Sequence, residues 1–351
     1  MRRSGTTMVW WTMKNRCKMD DKTRSLLAQA NTALIRYPRF KELHRDIREC
    51  QDMSRLANEP QCMSLEGITG AGKSTLIQDY VALFPRIEQA NGTRIPIFYA
   101  ETPSPVTVKG MAATLLAHLG DPAAHHGTLW AMNFRLIRLM VDCQVELVIL
   151  DDFHHLIDKE TNRILEQVSD WLKVLIKETG IPFLVVGIEG KVERILEANA
   201  QLSRLFAVRQ TLEPFRCDPS DEASIQEFGR FVQYAEQAIG VTLPVTISRF
   251  ELLLRLHYAT EGVVGNLMNL LRYATLLTRQ YDQESITLPT LATSFDKRLA
   301  KHLKKNSNPF LTAPNEGFIA PEAINDGIST TSASTHSRRR NSSAAKILQA
   351  R

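Results

Sequence analysis

Cysteine is scarce in this 351-residue chain: Cys17, Cys50, Cys62, Cys143 and Cys217 are its five, and none forms a C-x-x-C pair. That scatter fits neither a disulfide framework nor a zinc module, and reads as free thiols in a reducing compartment. Long apolar runs are missing too, since no stretch approaches the roughly 20 residues that span a bilayer. The apolar patch from Met8 to Trp11 follows basic residues but is too short for a signal h-region and lacks a small-residue cleavage site. The expectation is a cytoplasmic protein with no membrane partner. Aromatics make up only 7%, yet 44% hydrophobic composition over this length is enough to bury the core of one or two domains.

An excess of one charge is also absent from the body of the chain, and the net +5 comes from the ends. Residues 1–18 carry five basic and no acidic side chains, residues 301–351 eight basic and three acidic, leaving residues 19–300 at −5. Basic ends suit nucleic acid or an acidic partner, though solvated tails account for them as well. From Asn306 onward Ser, Thr, Asn, Pro and Gly dominate, a composition that cannot offset its ordering entropy by burial. Residues 306–351 are therefore expected to form a disordered basic tail, and residues 1–18 a disordered basic segment.

Between these ends, short apolar runs alternate with helical patterns. The runs are Cys62–Glu66, Ile95–Ala100, Leu147–Leu150, Phe183–Val186 and, more weakly, Ala207–Leu212. Ile164, Leu165, Val168, Trp171, Leu172 and Leu175 fall on one helical face between two of them. Continuous apolar strands spaced by helices predict an α/β domain with a parallel five-stranded sheet covered on both sides. After Pro214 the strand signals fade, and helices are expected over Ile225–Ile239, Ser248–Thr260, Val264–Gln280 and Leu288–Leu303. The predicted order is a helical lead-in over 19–60, a nucleotide-binding α/β domain over 61–216 and a small all-helical lid domain over 217–305.

The strongest chemical signal is Gly67-Ile68-Thr69-Gly70-Ala71-Gly72-Lys73-Ser74, which satisfies G-x-x-x-x-G-K-[ST] between a predicted strand and a helix opening at Thr75. Its glycines let backbone N–H groups point at phosphate oxygens at the positive end of a helix dipole. Lys73 would bridge the β- and γ-phosphates of ATP, and Ser74 would place its hydroxyl on Mg2+. Leu147-Val148-Ile149-Leu150-Asp151-Asp152 ends a buried strand in two carboxylates, the pattern of a Walker B motif. Asp151 would orient Mg2+ through water, and Asp152 stands where a base polarising the attacking water belongs. Glutamate is usual there, so slow, regulatory hydrolysis is expected. A γ-phosphate sensor would follow Gly187, but Ile188 cannot hydrogen-bond, leaving Glu189 or no sensor. Arg204 lies where oligomeric ATPases offer a guanidinium to a neighbouring subunit's γ-phosphate, with Arg209 as the alternative. His154 and His155 lack further metal ligands and read as packing or phosphate-sensing groups.

With these motifs placed, the chain resembles the TniB/TnsC family of AAA+ transposition regulators over roughly residues 25–300. The resemblance rests on Tyr37-Pro38-Arg39-Phe40 ahead of the P-loop, Tyr99-Ala100-Glu101-Thr102-Pro103 through Leu119-Gly120, and Leu150-Asp151-Asp152-Phe153-His154. Leu212-Glu213-Pro214-Phe215 and Glu261-Gly262-Val263-Val264-Gly265-Asn266-Leu267 complete it. It implies an ATP-dependent homo-oligomer on double-stranded DNA that activates a DDE transposase and takes target information from a TniQ-like adaptor. It further implies DNA contacts at Lys109 and Thr128. Asp152, Ile188, and Asn266 in place of a lid arginine depart from the family pattern and weaken the case for fast hydrolysis. An AAA+ loader or secretion-type ATPase, and more remotely a P-loop kinase, are the alternatives.

Overall fold

Leu147–Asp151 forms a strand in which every residue is buried, as a run of aliphatic residues without alternation requires. The computed structural model describes residues 21–311 except 58, 91, 105–106 and 159–161. Its strands are β1 (Met63–Gly67), β2 (Ile87–Gln89), β3 (Gly92–Arg94), β4 (Ile97–Glu101), β5 (Leu147–Asp151), β6 (Phe183–Ile188) and β7 (Val208–Thr211). Five of them make a parallel sheet in the order β4-β5-β6-β1-β7, while β2 and β3 form a separate antiparallel ribbon. Because the five strands are all parallel, the loop after β1 opens at their shared C-terminal edge, where α/β sheets place their ligands.

The helices are α1 (Asp21–Thr32), α2 (Pro38–Ser54), α3 (Lys73–Ala82), α4 (Val108–His118), α5 (Leu129–Asp142), α6 (His155–Asp158), α7 (Asn162–Thr179), α8 (Lys191–Glu197) and α9 (Ala200–Leu205). After β7 come α10 (Glu222–Ile239), α11 (Arg249–Thr260), α12 (Val264–Gln280) and α13 (Leu288–Arg298). One sheet face, with Leu65, Ile149 and Leu184, packs on Leu76 and Ile77 of α3 in a core that continues into Leu267 and Leu270 of α12. The other face, with Val148, Leu150 and Val185, packs on Leu116, Leu136, Trp171 and Ile195. The stripe expected on α7 lines this second core, and the Trp171 indole donates to Asn133 Oδ1 at 2.9 Å, so its buried N–H is satisfied.

Among the boundaries that differ from the sequence reading, two lie at the C-terminal end of the described residues. The last helix ends at Arg298 rather than Leu303: Leu299 caps it, and Lys304 adopts φ +53° as the chain turns back. Residues 306–311, assigned by composition to the tail, instead pack on the lid helices. Phe310 is 3% exposed with its ring 6.3 Å from that of Phe295, and Asn308 Nδ2 donates to Ala292 O at 2.9 Å. The fully buried Arg255 explains the reversal, because its Nη1 donates to Pro309 O at 2.6 Å and its Nε to Glu251 Oε1 at 3.0 Å. A buried guanidinium requires such acceptors, and the returning chain supplies one. The basic segment 1–18 and the rest of the tail, 312–351, lie outside the described residues.

Candidate nucleotide-binding site

The P-loop begins where β1 is pinned from both sides. Leu212 N donates to Glu66 O at 2.8 Å, Glu189 N donates to Gly67 O at 3.3 Å, and a Cβ on Gly67 would meet Leu212 O at 2.6 Å. The Glu66 carboxylate accepts the N–H of Gly190 at 2.7 Å at the start of α8; burial pushes its pKa up, and the backbone donors Gly190 and Glu193 oppose that. The loop turns through Gly70 at φ +82° and Gly72 at φ +102°, conformations that a β-carbon disfavours. Gly72 caps α3 without any side-chain cap, so the first-turn N–H groups remain open to an anion. Thr69, Gly70, Ser74 and Thr75 are exposed, whereas Ala71 is buried.

Lys73 folds back over the loop, its Nζ donating to Gly67 O at 2.8 Å and Ile68 O at 2.9 Å. Burial lowers its pKa, while Asp151, Asp152 and Glu189 raise it. The lysine therefore lies in the field of both Walker B acids, brought from a strand two places away in the sheet. Glu189, rather than the apolar Ile188, is the acid at the end of β6 that reaches this field.

Asp151 is 2% exposed, and its Oδ1 accepts the N–H of Asp152 at 2.8 Å. Asp152 sits at φ +52°, which aspartate tolerates, with its carboxylate 3.9 Å from His154 Nδ1. The Tyr99 hydroxyl is 3.3 Å from Asp151 Oδ2 and 3.4 Å from Glu101 Oε1. Burial and then these two acids push its pKa up. One phenolic proton cannot serve two carboxylates, so the site carries surplus negative charge, which suits a divalent cation. Among the described residues no group of three or more His, Cys, Asp or Glu forms a metal cage. The donor set of Ser74 and Asp151 fits Mg2+, an ion that takes one or two protein ligands and completes its shell with phosphate oxygens and water. When bound there, Mg2+ would neutralise charge on the phosphates. His155 Nδ1 lies 3.2 Å from Thr102 O, and its ring centroid is 4.6 Å from that of His154.

A cavity of about 290 Å3 runs from Gly70–Thr75 to Ala33–Ile35, Tyr37 and Phe40, roofed by Phe231, Val264, Gly265, Met268 and Arg272. Tyr37 and Phe40, from the Tyr-Pro-Arg-Phe segment, are thus part of the cavity wall. Tyr37 is wedged edge-on against Phe231 at 5.1 Å, and Phe231 stacks on Phe215 at 4.6 Å. The roof comes from the lid domain, whose α12 starts against the P-loop with Gly265 N donating to Gly70 O at 2.8 Å. The sequence led to the expectation of a lid helix over Val264–Gln280, but not to which of its residues, Val264, Met268 and Arg272, line the cavity. Asn266 turns away to donate to Thr260 O at 3.2 Å.

The remaining predicted site residues lie apart from the cavity lining. Arg204 is exposed at the end of α9 and forms no ion pair among the described residues, whereas Arg209 is held by Glu193 at 3.2 Å and Ser203 Oγ at 2.7 Å. Lys109 is exposed in the first turn of α4. Thr128 caps α5, its hydroxyl accepting from Ala131 N at 3.3 Å. No helix among the described residues is long and apolar enough to cross a membrane.

The family model of the bacterial TniB protein matches residues 26–215. No curated protein shows a significant sequence match. Among solved structures, Cdc6p from Pyrobaculum aerophilum superimposes with a TM-score of 0.56 at 13% identity, covering 82% of this chain and 75% of that one. The Aeropyrum pernix ORC2 protein, solved as ADPNP–ADP complexes, gives 0.54 at 14% identity, covering 78% and 71%. The Aeropyrum pernix ORC1 protein in complex with DNA gives 0.51 at 13% identity; the match covers 73% of this chain and 64% of that one. At such identities the likeness is one of fold, the AAA+ P-loop fold with a helical lid.

Proposed function

Because the chain belongs to the TniB family, we propose that it is an ATP-switched, DNA-binding homo-oligomer that links target selection to recruitment and activation of a DDE transposase. A TniQ-like adaptor would supply the target information. The observation that carries the nucleotide part is the convergence of Lys73 with Asp151, Asp152 and Glu189 beside a cavity closed by the lid. ATP and Mg2+ would bind at Gly67–Thr75, with Ser74 and Asp151 towards the metal. Assembly in trans is supported by Arg204, which no acid engages among the described residues, and by Trp130 and Phe134, 83% and 60% exposed one turn apart on α5. Lys109 would neutralise a backbone phosphate without reading bases. Family membership favours this reading over a loader or secretion-type ATPase.

Sedimentation of the protein with duplex DNA tests the proposal. ATP and a non-hydrolysable analogue should drive assembly on DNA and ADP should not, with affinity falling steeply as salt rises. Lys109→Glu should weaken every duplex alike, by roughly tenfold, and flatten the salt dependence. No DNA-dependent assembly in any nucleotide state, or a strong base preference, would refute it.

Asp152 sets the expected tempo. Its carboxylate is one methylene short of the usual glutamate and sits in a left-handed turn beside His154. Turnover should be slow, and Asp152→Glu should raise it by roughly tenfold by bringing the base closer to the attacking water. Phosphate release at saturating ATP is the measurement; rapid wild-type turnover, or no gain in the variant, would contradict this role.

A further inference from the structure

The far end of the nucleotide cavity holds a cation that no acid balances. Arg272 lines the cavity, is half-buried, and forms no ion pair among the described residues. Its Nε donates to Ala30 O at 2.8 Å, which uses one of the five N–H groups of a guanidinium. Around it the cavity wall is apolar, formed by Leu34, Ile35, Phe231 and Met268. Burial is the one cause acting on its pKa, which is lowered. A desolvated guanidinium with donors to spare is costly unless a ligand supplies the acceptors.

Position decides which part of a ligand that is. Val264, Met268 and Arg272 form one stripe of α12, and the helix starts on the P-loop through Gly265 and Gly70. From Val264 to Arg272 the helix rises about 12 Å. That separation puts the guanidinium beyond the polyphosphate, at the base, opposite the lead-in residues Ala33–Ile35. A purine presents ring nitrogens there as acceptors, and its fused second ring extends further from the ribose than the single ring of a pyrimidine. Having no acceptor of its own, arginine cannot read an exocyclic amine.

We propose that Arg272 reads the nucleobase, donating from its Nη groups to a ring-nitrogen acceptor of a purine, which makes the base slot purine-selective and latches the lid to α1 through Ala30. This deepens the nucleotide-binding reading above and rests on it. Neither Lys73 nor the Walker B acids take part in the discrimination.

Equilibrium binding to the full chain tests it, using ATP, CTP, 1-deaza-ATP, 3-deaza-ATP, 7-deaza-ATP and inorganic tripolyphosphate against wild type, Arg272→Met and Arg272→Lys. Arg272→Met, which keeps the apolar stem, should weaken ATP at least tenfold, leave tripolyphosphate within twofold and shrink the preference of ATP over CTP. Arg272→Lys should fall between, because one ammonium replaces a planar fork. One deaza analogue should bind wild type as weakly as ATP binds Arg272→Met, with no further loss in the variant. An equal loss for tripolyphosphate, no loss for ATP in Arg272→Met, or all three deaza analogues binding like ATP would overturn the proposal. The wild-type analogue series decides the matter even if the variant misfolds. If wild type bound neither ATP nor tripolyphosphate, the nucleotide reading itself would fall; tripolyphosphate binding without purine preference would remove the base reading alone.

Discussion

Lys73→Ala should abolish nucleotide-driven assembly and reduce ATP turnover by roughly a thousandfold, the size expected when a donor to developing phosphate charge is removed. The Lys73 ammonium donates to Gly67 O and Ile68 O, at 2.8 and 2.9 Å. Both are neutral carbonyls that it can leave for charged phosphate oxygens, and charge-assisted bonds are the stronger. Its side chain also supplies the nearby positive charge facing Asp151, Asp152 and Glu189. The alanine variant would lose that positive charge beside the carboxylates and the phosphates. Phosphate release and sedimentation with DNA should fail together; turnover within tenfold of wild type would mean that the loop does not hold the reacting phosphate.

Gly262→Ala should cost about 4 kcal/mol of stability and disengage the lid, combining left-handed backbone strain with steric overlap. Gly262 adopts φ +68°, and a β-carbon there would lie 1.9 Å from Phe215 O and 3.1 Å from His257 Nε2. The same junction carries the bond from Phe215 N to Gly262 O at 2.9 Å and the contact between His257 Nε2 and Phe215 O at 2.9 Å. Relief would have to come from separating the turn between α11 and α12 from the exit of β7, and that movement would draw α12 off the P-loop. Gly180→Ala is the control: φ is +65°, but no atom lies within 4 Å of the added carbon, so about 1 kcal/mol of strain is all it should show. Denaturant unfolding of the two variants separates strain from overlap; equal losses would show that Phe215 yields at little cost.

Legibility differed sharply between parts of the site. Gly67–Ser74 and Leu147–Asp152 could be read directly because each group acts from one short segment whose spacing is set by the chain. The five strands of the parallel sheet and the helical region after Pro214 followed from apolar runs and periodicity for the same reason, whereas the short, polar β2–β3 ribbon carried no such signal. Glu66 looked like the last residue of an apolar strand, and nothing local shows that it holds the start of α8. Tyr99 and Glu101 were read only as part of a family pattern, yet strand pairing sets Glu101 beside Asp151 and brings the Tyr99 hydroxyl between the two acids. Composition misplaced residues 306–311, since Asn, Ser and Pro mark loops but cannot show that Arg255 needs a carbonyl from Pro309.

By itself, then, the sequence determined the contiguous chemistry: a phosphate-binding loop on a helix, paired acids ending a buried strand, and a helical region behind them. Contiguity suffices there because backbone geometry holds such residues together whatever the rest of the chain does. Only tertiary structure decided what closes over the cavity, since it joins Ala33–Phe40, Gly70–Thr75, Phe231 and the stripe from Val264 to Arg272, separated by up to about 240 residues. Such groups meet through the packing of a shared core, which no local pattern encodes.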